Sequence, residues 1–244
     1  MRVLSMTHGP SVPGGVFEEV VEEAGHQLER WSLPHGSAPQ PGAAYDAVMV
    51  FGGSMHPDQD DRFAWLAHEE EFLRSVLAEG VPVIGVCLGA QMLARAAGAW
   101  VAPASAPEIG WLEVELTPEG RADPVLGAFP ERTRAFQWHS YTFGTPEGGV
   151  ELARSAVCTQ AFRRGSAWGI QFHAEVTLDM VRAWIEEEPH ELEAPEAFLA
   201  ESEANIDRWN DEGWALCTAF LDAASRTPQR DGATSSTTSS AANA

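Results

Sequence analysis

Apolar and polar residues alternate in two different ways along the first half of the chain. Three short, mainly apolar runs are typical of strands buried on both faces of a parallel sheet, and they lie at residues 3–6, 46–51 and 81–86. Apolar residues recur at helical spacing in residues 16–24, 63–78 and 88–97. This alternation predicts an α/β fold in which a mainly parallel central sheet carries helices on both faces.

The second half of the chain consists of shorter segments of alternating polarity, separated by turn residues. They predict antiparallel strands added to the sheet, at residues 111–116, 133–138, 150–155, 160–163 and 167–172. Residues 178–188 predict a helix with Thr177 as its N-cap and Pro189 after its end. Residues 194–224 predict a second helix, whose many acidic side chains indicate a solvated face.

The length of the chain favours one large domain. With 244 residues, 44% of them hydrophobic, it can bury a sizeable core. We predict a domain over residues 1–224, with a motif-bearing core at 1–188 and an acidic helical extension at 189–224. From residue 225 to residue 244 the Ser- and Thr-rich sequence predicts a disordered tail. No apolar run approaches the ~20 residues of a membrane span, and the N-terminus does not resemble a signal peptide, so we expect no membrane association.

The chain is strongly acidic. It has 36 acidic residues against 15 basic ones, all of them Arg, which gives a formal net charge of −21. A field of this sign repels phosphodiester backbones, so nucleic acid is excluded as an expected partner. Without lysine the chain has neither a phosphate-loop lysine nor a Schiff-base lysine.

The cysteines and most histidines show no ligand pattern. The three cysteines are an odd number at wide spacings, which predicts a reducing cytoplasm and neither a disulfide framework nor a zinc knuckle. Cys158 is expected to be a buried structural thiol, and His56 a solvated loop residue. Six histidines are expected to do no chemistry: His8, His26, His35, His56, His68 and His190. We therefore expect neither a metal site nor a cofactor.

The strongest chemical signal lies where a predicted strand meets a predicted helix, in Gly85-Val86-Cys87-Leu88-Gly89. A nucleophile on such an elbow crowds the positions two residues away on each side, which favours glycine at both. The helix N-terminus favours a thiolate at Cys87, and the N–H of Leu88 can point toward a developing oxyanion. Cys87 could alternatively be a small core residue, but the glycine pair favours a nucleophile.

Two further strand ends carry candidate site residues. His173 and Glu175 are two positions apart at the end of a predicted strand, where a carboxylate can hold an imidazole in one tautomer. Gly52 and Gly53 follow another strand, and the N–H of Gly53 could supply a second oxyanion donor. Because sites in open parallel sheets gather at the carboxyl ends of the strands, these loops are expected to converge on Cys87.

These motifs, in this order, resemble the class I (triad) glutamine amidotransferases. They are Gly-Gly-Ser at 52–54, Val-Cys-Leu-Gly-Ala-Gln at 86–91, Gln-Trp-His-Ser at 137–140 and Gln-Phe-His-Ala-Glu at 171–175. The chain is most similar to stand-alone proteins like the amidotransferase domain of GMP synthase, over roughly residues 1–188. The resemblance implies a flavodoxin-like, three-layer α/β/α fold and release of ammonia from glutamine through a γ-glutamyl thioester.

The resemblance also implies roles for individual residues. Cys87 matches the nucleophile, His173 the general acid and base, and Glu175 the carboxylate that orients it. Gly53 and Leu88 match the oxyanion-hole amides. Four more positions match the substrate-binding segments: Gly52, Gln91, His139 and Ser140.

Two departures from the family pattern concern the turn and the substrate. Ala174 stands where the family usually has Pro between the triad His and Glu, which predicts a less rigid turn without loss of catalysis. Ser140 and Tyr141 stand where close relatives usually have Gly-Asp. This change predicts an altered choice of γ-glutamyl compound.

Three functions remain open from the sequence. In one, the chain is a glutaminase that delivers ammonia to a separate synthase or ligase, since no ATP-binding or acceptor domain is evident. In another, it is a stand-alone γ-glutamyl hydrolase or peptidase acting on a small γ-glutamyl compound. In the third, it is a non-catalytic amidotransferase-like binding protein, which the intact triad disfavours. An α/β hydrolase with Cys for Ser conflicts with the order of the motifs, because its acid precedes the histidine. The oligomeric state stays open.

Overall fold

The computed structural model describes residues 1–33 and 41–227. In these residues nine strands form one sheet: β1 (Arg2–Thr7), β2 (Gln27–Ser32), β3 (Ala47–Val50), β4 (Val83–Val86), β5 (Val101–Leu116), β6 (Arg132–Phe143), β7 (Val150–Arg154), β8 (Thr159–Arg164) and β9 (Ala167–Ile170). The same residues form six α-helices: α1 (Gly15–Glu23), α2 (Trp65–Ala78), α3 (Leu88–Ala96), α4 (Pro118–Ala122), α5 (Leu178–Glu187) and α6 (Pro195–Ser225). His35 and all but the first three residues of the predicted tail lie outside the described residues.

The sheet has a parallel part and an antiparallel part. Its strand order is β2-β1-β3-β4-β9-β8-β7-β5-β6. Neighbouring strands run parallel from β2 to β9, and the remaining pairs are antiparallel. The antiparallel strands come from the second half of the chain, as the sequence predicts, and the parallel strands bring their carboxyl ends to one edge.

Helices cover both faces of the sheet, which confirms the predicted three-layer α/β/α architecture. On one face, Phe17 of α1, Trp184 of α5 and Trp209 of α6 belong to a continuous apolar core. On the other face, Leu73 of α2 and Leu93 of α3 pack in a second core. Burial of these apolar surfaces is the main favourable contribution to folding. None of the helices in the described residues is long and apolar enough to cross a membrane.

Two parts of the sheet differ from the prediction. Strand β2 was not predicted, because it pairs only with β1 and its charged side chains, Glu29 and Arg30, form ion pairs outside the core. Strand β5 begins ten residues before the predicted segment at 111–116. Its first half contains Pro103 and Pro107, and its pairing with β6 shifts register between Pro103 and Glu108. Proline is tolerated at such irregular pairings but hides the strand in the sequence pattern.

The two predicted C-terminal helices are confirmed, but α6 is more buried than the sequence indicates. Helix α5 begins after Thr177, whose hydroxyl accepts a hydrogen bond from the N–H of Met180. Helix α6 buries Phe198, Trp209 and Phe220 in the core. The acidic side chains therefore occupy only part of its circumference, and the helix forms part of one covering layer.

Candidate active site

Cys87 lies on the sharp elbow between β4 and α3. With φ = 52° and ψ = −111°, it is the one non-glycine residue with positive φ in the described part of the chain. Such a conformation costs about 1–3 kcal/mol and is held by its surroundings. A Cβ on Gly85 would come within 2.6 Å of the Gly89 backbone, and one on Gly89 within 2.2 Å of the Val50 carbonyl oxygen. Any larger residue at position 85 or 89 would therefore clash with the backbone, as expected from the glycine pair.

The backbone amides around the elbow divide into two groups. The N–H of Cys87 donates to Ile170 at 2.8 Å, and that of Gly89 donates to Phe51 at 3.1 Å. The N–H groups of Leu88 and Gly53 have no hydrogen-bond partner among residues 1–33 and 41–227. These two free donors are the predicted oxyanion-hole amides.

His173 and Glu175 lie together in the loop after β9, buried at 3% and 1% exposure. The Nδ1–H of His173 donates to Oε1 of Glu175 at 2.8 Å. Burial alone lowers the pKa of His173, but the charges of Glu175 and Cys87 and hydrogen bonds with both outweigh it and raise that pKa to about 10. The imidazole of His173 and the N-terminus of α3 therefore lie beside the same sulfur.

The loop that carries the triad histidine is anchored through its backbone. The indole N–H of Trp209 in α6 donates to the carbonyl of His173 at 2.7 Å. The N–H of Val16 in α1 donates to the carbonyl of Glu175 at 3.0 Å, and Asn210 donates to that of Val176 at 2.7 Å. Nothing in the sequence pattern indicates that residues of α6 reach this loop.

The glycine pair after β3 runs directly beside the triad. A Cβ on Gly52 would lie 2.9 Å from Cε1 of His173, and one on Gly53 would lie 2.9 Å from Cδ2 of Leu88. Gly53 lines the space next to Cys87, whereas Gly52 is not among the described residues that line the cavities there. The structure therefore does not bring Gly52, which was predicted to bind substrate, to either cavity.

His8, which was expected to do no chemistry, lines a cavity beside Cys87. It follows β1 and is 3% exposed. Its Nδ1–H donates to the carbonyl of Gly52 at 2.9 Å, and its Nε2 lies 3.1 Å from Oε2 of the fully buried Glu69 in α2. Burial lowers the pKa of His8, but the charge and hydrogen bond of Glu69 and the backbone carbonyls of Gly52 and Phe51 raise it overall. The signal that could have found His8 is its position at the carboxyl end of a parallel strand.

A cavity of about 350 Å³ lies on one side of Cys87. Three of the residues predicted to bind substrate line it: Gln91, His139 and Ser140. The side chains of Gln91 and His139 both donate to the carbonyl of Tyr141, at 3.1 and 3.0 Å, so they also hold this segment in place. His56, a half-buried loop residue, stacks on Tyr141 with ring centroids 4.3 Å apart and lines the same cavity.

A second cavity, of about 130 Å³, is also lined by Cys87. It shares part of its lining with the larger cavity, namely Gly53, Ser54, Cys87, Trp138 and Glu188. Its remaining walls come from the loop after β1, from His173 and from α5: His8, Gly9, Ser11, Val12, His173, Trp184 and Glu187. Cys87 therefore borders two spaces of different size and lining.

The other two cysteines have surroundings unlike those of Cys87. Burial, with a contribution from Glu108, raises the pKa of Cys158 to about 11. Its Sγ lies 3.3 Å from Oε2 of Glu108, which lies 3.3 Å from Nε2 of His139. These three donor atoms are the one group in the described residues close enough together to hold a metal ion. Burial also raises the pKa of Cys217. Both are neutral thiols at pH 7.

Comparisons with known proteins agree with this architecture. Residues 18–187 match the family described as glutamine amidotransferase class-I. The chain is 30% identical over 219 residues to the glutamine amidotransferase-like protein YfeJ of Salmonella typhimurium, covering 86% of this chain and 91% of that protein. It is 27% identical to a γ-glutamyl-L-1-hydroxyisopropylamide hydrolase of a Pseudomonas species, over 68% of this chain and 60% of that protein. A crystal structure of a glutamine amidotransferase from Thermotoga maritima superposes with a TM-score of 0.83 at 29% identity, over 91% of this chain and 98% of the other.

Proposed function

The chain belongs to the class I glutamine amidotransferase family, and from this premise we propose that it hydrolyses a γ-glutamyl amide through a thioester on Cys87. The observation that carries the proposal is the convergence on one sulfur of a strained elbow, a His173–Glu175 pair and two free N–H donors. This arrangement fits acyl transfer and not binding alone, because each part has a separate chemical task.

The first half of the reaction forms the acyl-enzyme. The Cys87 thiolate attacks the side-chain amide carbon, a C–S bond forms, and the carbonyl electron pair moves onto oxygen. The N–H groups of Gly53 and Leu88 stabilise this oxyanion, each contributing about 3 kcal/mol. When the C–N bond breaks, His173 gives its Nε2 proton to the departing nitrogen.

The second half releases glutamate. His173, now neutral, takes a proton from water, and the resulting hydroxide attacks the thioester carbon. The same two N–H groups stabilise the second oxyanion, and the C–S bond breaks to regenerate the Cys87 thiolate and the His173 imidazolium. Glu175 keeps the imidazole in the orientation that both steps need and stabilises its charged form.

His8 and Glu69 support the oxyanion hole. In a trans peptide the carbonyl of one residue and the N–H of the next point in opposite directions. The hydrogen bond from His8 fixes the Gly52 carbonyl on one side of the Gly52–Gly53 peptide. The N–H of Gly53 is thereby directed to the other side, away from His8. We assign His8 as a positioning residue and Glu69 as the group that keeps it charged.

The lining of the two cavities indicates which part of the substrate each one receives. The leaving nitrogen takes its proton from His173, and His173 lines only the smaller cavity. Leu88, Gln91 and His139 line only the larger one. The glutamyl portion is therefore assigned to the larger cavity and the departing amine to the smaller one.

The size of the smaller cavity favours stand-alone hydrolysis over ammonia delivery. Ammonia needs about the ~30 Å³ of one water molecule, and the cavity offers about 130 Å³. A small γ-glutamyl amide is the substrate class that fills both spaces, as the name of the Pseudomonas relative suggests for that protein. Glutaminase activity that appears only with a separate synthase would favour ammonia delivery instead.

The test combines turnover with labelling. Purified protein is incubated with L-glutamine and with γ-glutamyl-n-propylamide, and released glutamate and amine are measured. Cys87→Ala is expected to abolish both activities while the circular dichroism spectrum and melting temperature remain close to those of the unmodified chain. A glutamine-like electrophile, 6-diazo-5-oxonorleucine, should label Cys87 and spare Cys158 and Cys217. Full turnover by Cys87→Ala, or no turnover and no labelling of the intact chain, would refute the proposal.

A further inference from the structure

The smaller cavity has features that a simple ammonia exit would not need. We propose that it is a binding site for a small, positively charged amine, and that the preferred substrates are γ-glutamyl amides whose amine portion ends in an ammonium group. This inference rests on the proposed function and names the substrate class of the same site.

The floor of the cavity is where the scissile nitrogen must lie. Cys87, His173 and His8 line it and are all buried. His8 and His173 both have raised pKa values and pair with buried carboxylates, Glu69 and Glu175. The amine portion starts at the scissile nitrogen on this floor, and its other end points outward.

The walls beyond the floor are aromatic. Trp138 and Trp184 line the cavity with ring centroids 5.9 Å apart, and the Trp184 ring lies 4.8 Å from that of His173. The indole N–H of Trp184 donates to the carbonyl of Ser11 at 2.6 Å, so the ring is fixed in place. Indole rings pack well on methylene groups and attract ammonium groups.

The rim carries two carboxylates. Glu187 and Glu188 lie at the end of α5, line the cavity and are more exposed than the groups at its floor. Glu187 has no hydrogen bond or ion pair within the described residues, and Glu188 lies 3.4 Å from His190. No Arg of the described residues lines the cavity, and its basic residues, His8 and His173, are buried. An ammonium group at the rim would meet the free carboxylate of Glu187.

The volume of the cavity admits a short amine. One water molecule needs roughly 10–15 Å³ of such volume, and the cavity offers about 130 Å³. It therefore has room for an amine of several non-hydrogen atoms. A two-carbon diamine is a short compound of this class, with one nitrogen in the amide and the other free as an ammonium group.

Three γ-glutamyl amides of nearly equal length test the proposal. They are the 2-aminoethylamide, which ends in an ammonium group, the n-propylamide, which is neutral, and γ-glutamylglycine, which ends in a carboxylate. We expect kcat/KM to be about tenfold higher for the 2-aminoethylamide than for the n-propylamide, and lowest for γ-glutamylglycine. The preference should appear mainly in KM, because the charged end is bound equally before and during the reaction.

Matched variants separate local contacts from the overall negative field of the chain. Glu187→Gln and Glu188→Gln are expected to reduce the tenfold ratio of kcat/KM between the 2-aminoethylamide and the n-propylamide toward unity. Glu186→Gln removes the same charge from the adjacent position of α5, which does not line the cavity, and should keep the preference. Melting temperatures check that all three variants fold.

The outcomes distinguish this inference from the proposed function. Equal kcat/KM for the three amides, hydrolysis of glutamine alone, or an unchanged preference in both Glu187→Gln and Glu188→Gln would overturn the amine site and leave Cys87 hydrolysis standing. Failure to hydrolyse glutamine and all three amides would overturn the proposed function itself, and the amine site with it.

Discussion

At the scale of single residues, the charge on His173 is set by its two neighbours. Glu175 and Cys87 raise the pKa of His173 to about 10 although burial lowers it. A histidine that stays protonated to this pH can donate a proton to a leaving amine throughout the neutral range. The reaction should therefore lose activity on the alkaline side only as the imidazolium loses its proton.

Replacing Glu175 tests this assignment. In Glu175→Gln the pKa of His173 falls, so the imidazolium loses its proton at lower pH. The alkaline limb of the profile of kcat/KM against pH is expected to move to lower pH, with kcat/KM at pH 7 falling about 10²-fold. Glu69→Gln, which removes the buried carboxylate beside His8, should leave that limb in place. An alkaline limb unchanged by Glu175→Gln would contradict the role given to this carboxylate.

The positioning role of His8 is testable without burying an unpaired charge. Removing His8 alone would leave the buried carboxylate of Glu69 without its partner, which lowers the free energy of unfolding by about 3–5 kcal/mol. The double variants His8→Asn/Glu69→Gln and His8→Ala/Glu69→Gln avoid this, and only the first keeps an N–H near the Nδ1 position. We expect kcat to fall only a few-fold in the first and about 10²-fold in the second, with similar KM. Equal kcat in both would mean that the bond to Gly52 plays no part in catalysis.

The proposed triad could be predicted from the sequence, and the His8–Glu69 pair could not. Cys87, His173 and Glu175 stand in short motifs whose spacing has a local physical reason. His8 and Glu69 are separated by 61 positions, and neither has a neighbour that marks it. Their contact exists only because the sheet brings the end of β1 beside α2. The sequence likewise does not show that the carbonyl of Gly52, which was predicted to bind substrate, accepts a hydrogen bond from His8.

At the scale of elements, α6 supports the catalytic loop through a side chain. Trp209→Phe keeps most of the apolar packing but leaves the buried carbonyl of His173 without its 2.7 Å hydrogen bond. The free energy of unfolding should fall by about 1–3 kcal/mol, and kcat should fall because the triad is less well positioned. Thermal melting and steady-state kinetics measure the two effects.

The same helix offers a matched control. Trp214 is only partly buried in α6, and its indole N–H makes no hydrogen bond among the described residues. Trp214→Phe should leave kcat nearly unchanged. If Trp209→Phe and Trp214→Phe affected kcat equally, the hydrogen bond to His173 would have no special part in positioning the triad.

Element boundaries were predictable where burial dominates the pattern. Strands β1, β3 and β4 and helices α1, α2 and α5 lie close to their predicted positions, because each has a continuous buried face. Strand β2 and the first half of β5 escaped prediction, because an edge strand and a proline-containing strand need no regular apolar pattern. Both are held by pairing to a partner that is remote in the sequence.

At the scale of the whole molecule, the predicted extension at 189–224 is joined to the core by extensive packing. Trp209 contacts Trp111, Phe129 and Phe172 with ring centroids within 6.0 Å. We propose that residues 1–224 form one folding unit. A chain ending at residue 193 should lose its cooperative thermal transition, whereas the full chain should melt in one step. A cooperative transition in the shortened chain would show that the core at 1–188 folds independently.

The docking of α6 could not be derived from the sequence. Its acidic residues indicated a solvated face correctly but concealed how much of the opposite face is apolar. Which layer a helix joins depends on the sheet face left uncovered by earlier elements, and this information is spread over the whole chain.

The anchored loop has a consequence for how such sequences diverge. The family usually places proline between the triad histidine and glutamate, and this chain has Ala174 there. Here Trp209 donates to the carbonyl of His173, and Asn210 donates to that of Val176. A Cβ on Gly213 would lie 2.0 Å from the carbonyl oxygen of Ala174. The shape of this loop is thus encoded in two distant stretches of sequence. Among related proteins, the residues at positions 174, 209, 210 and 213 should therefore change together. A comparison of the motif at 171–175 alone, without α6, would miss part of what determines the shape of the site.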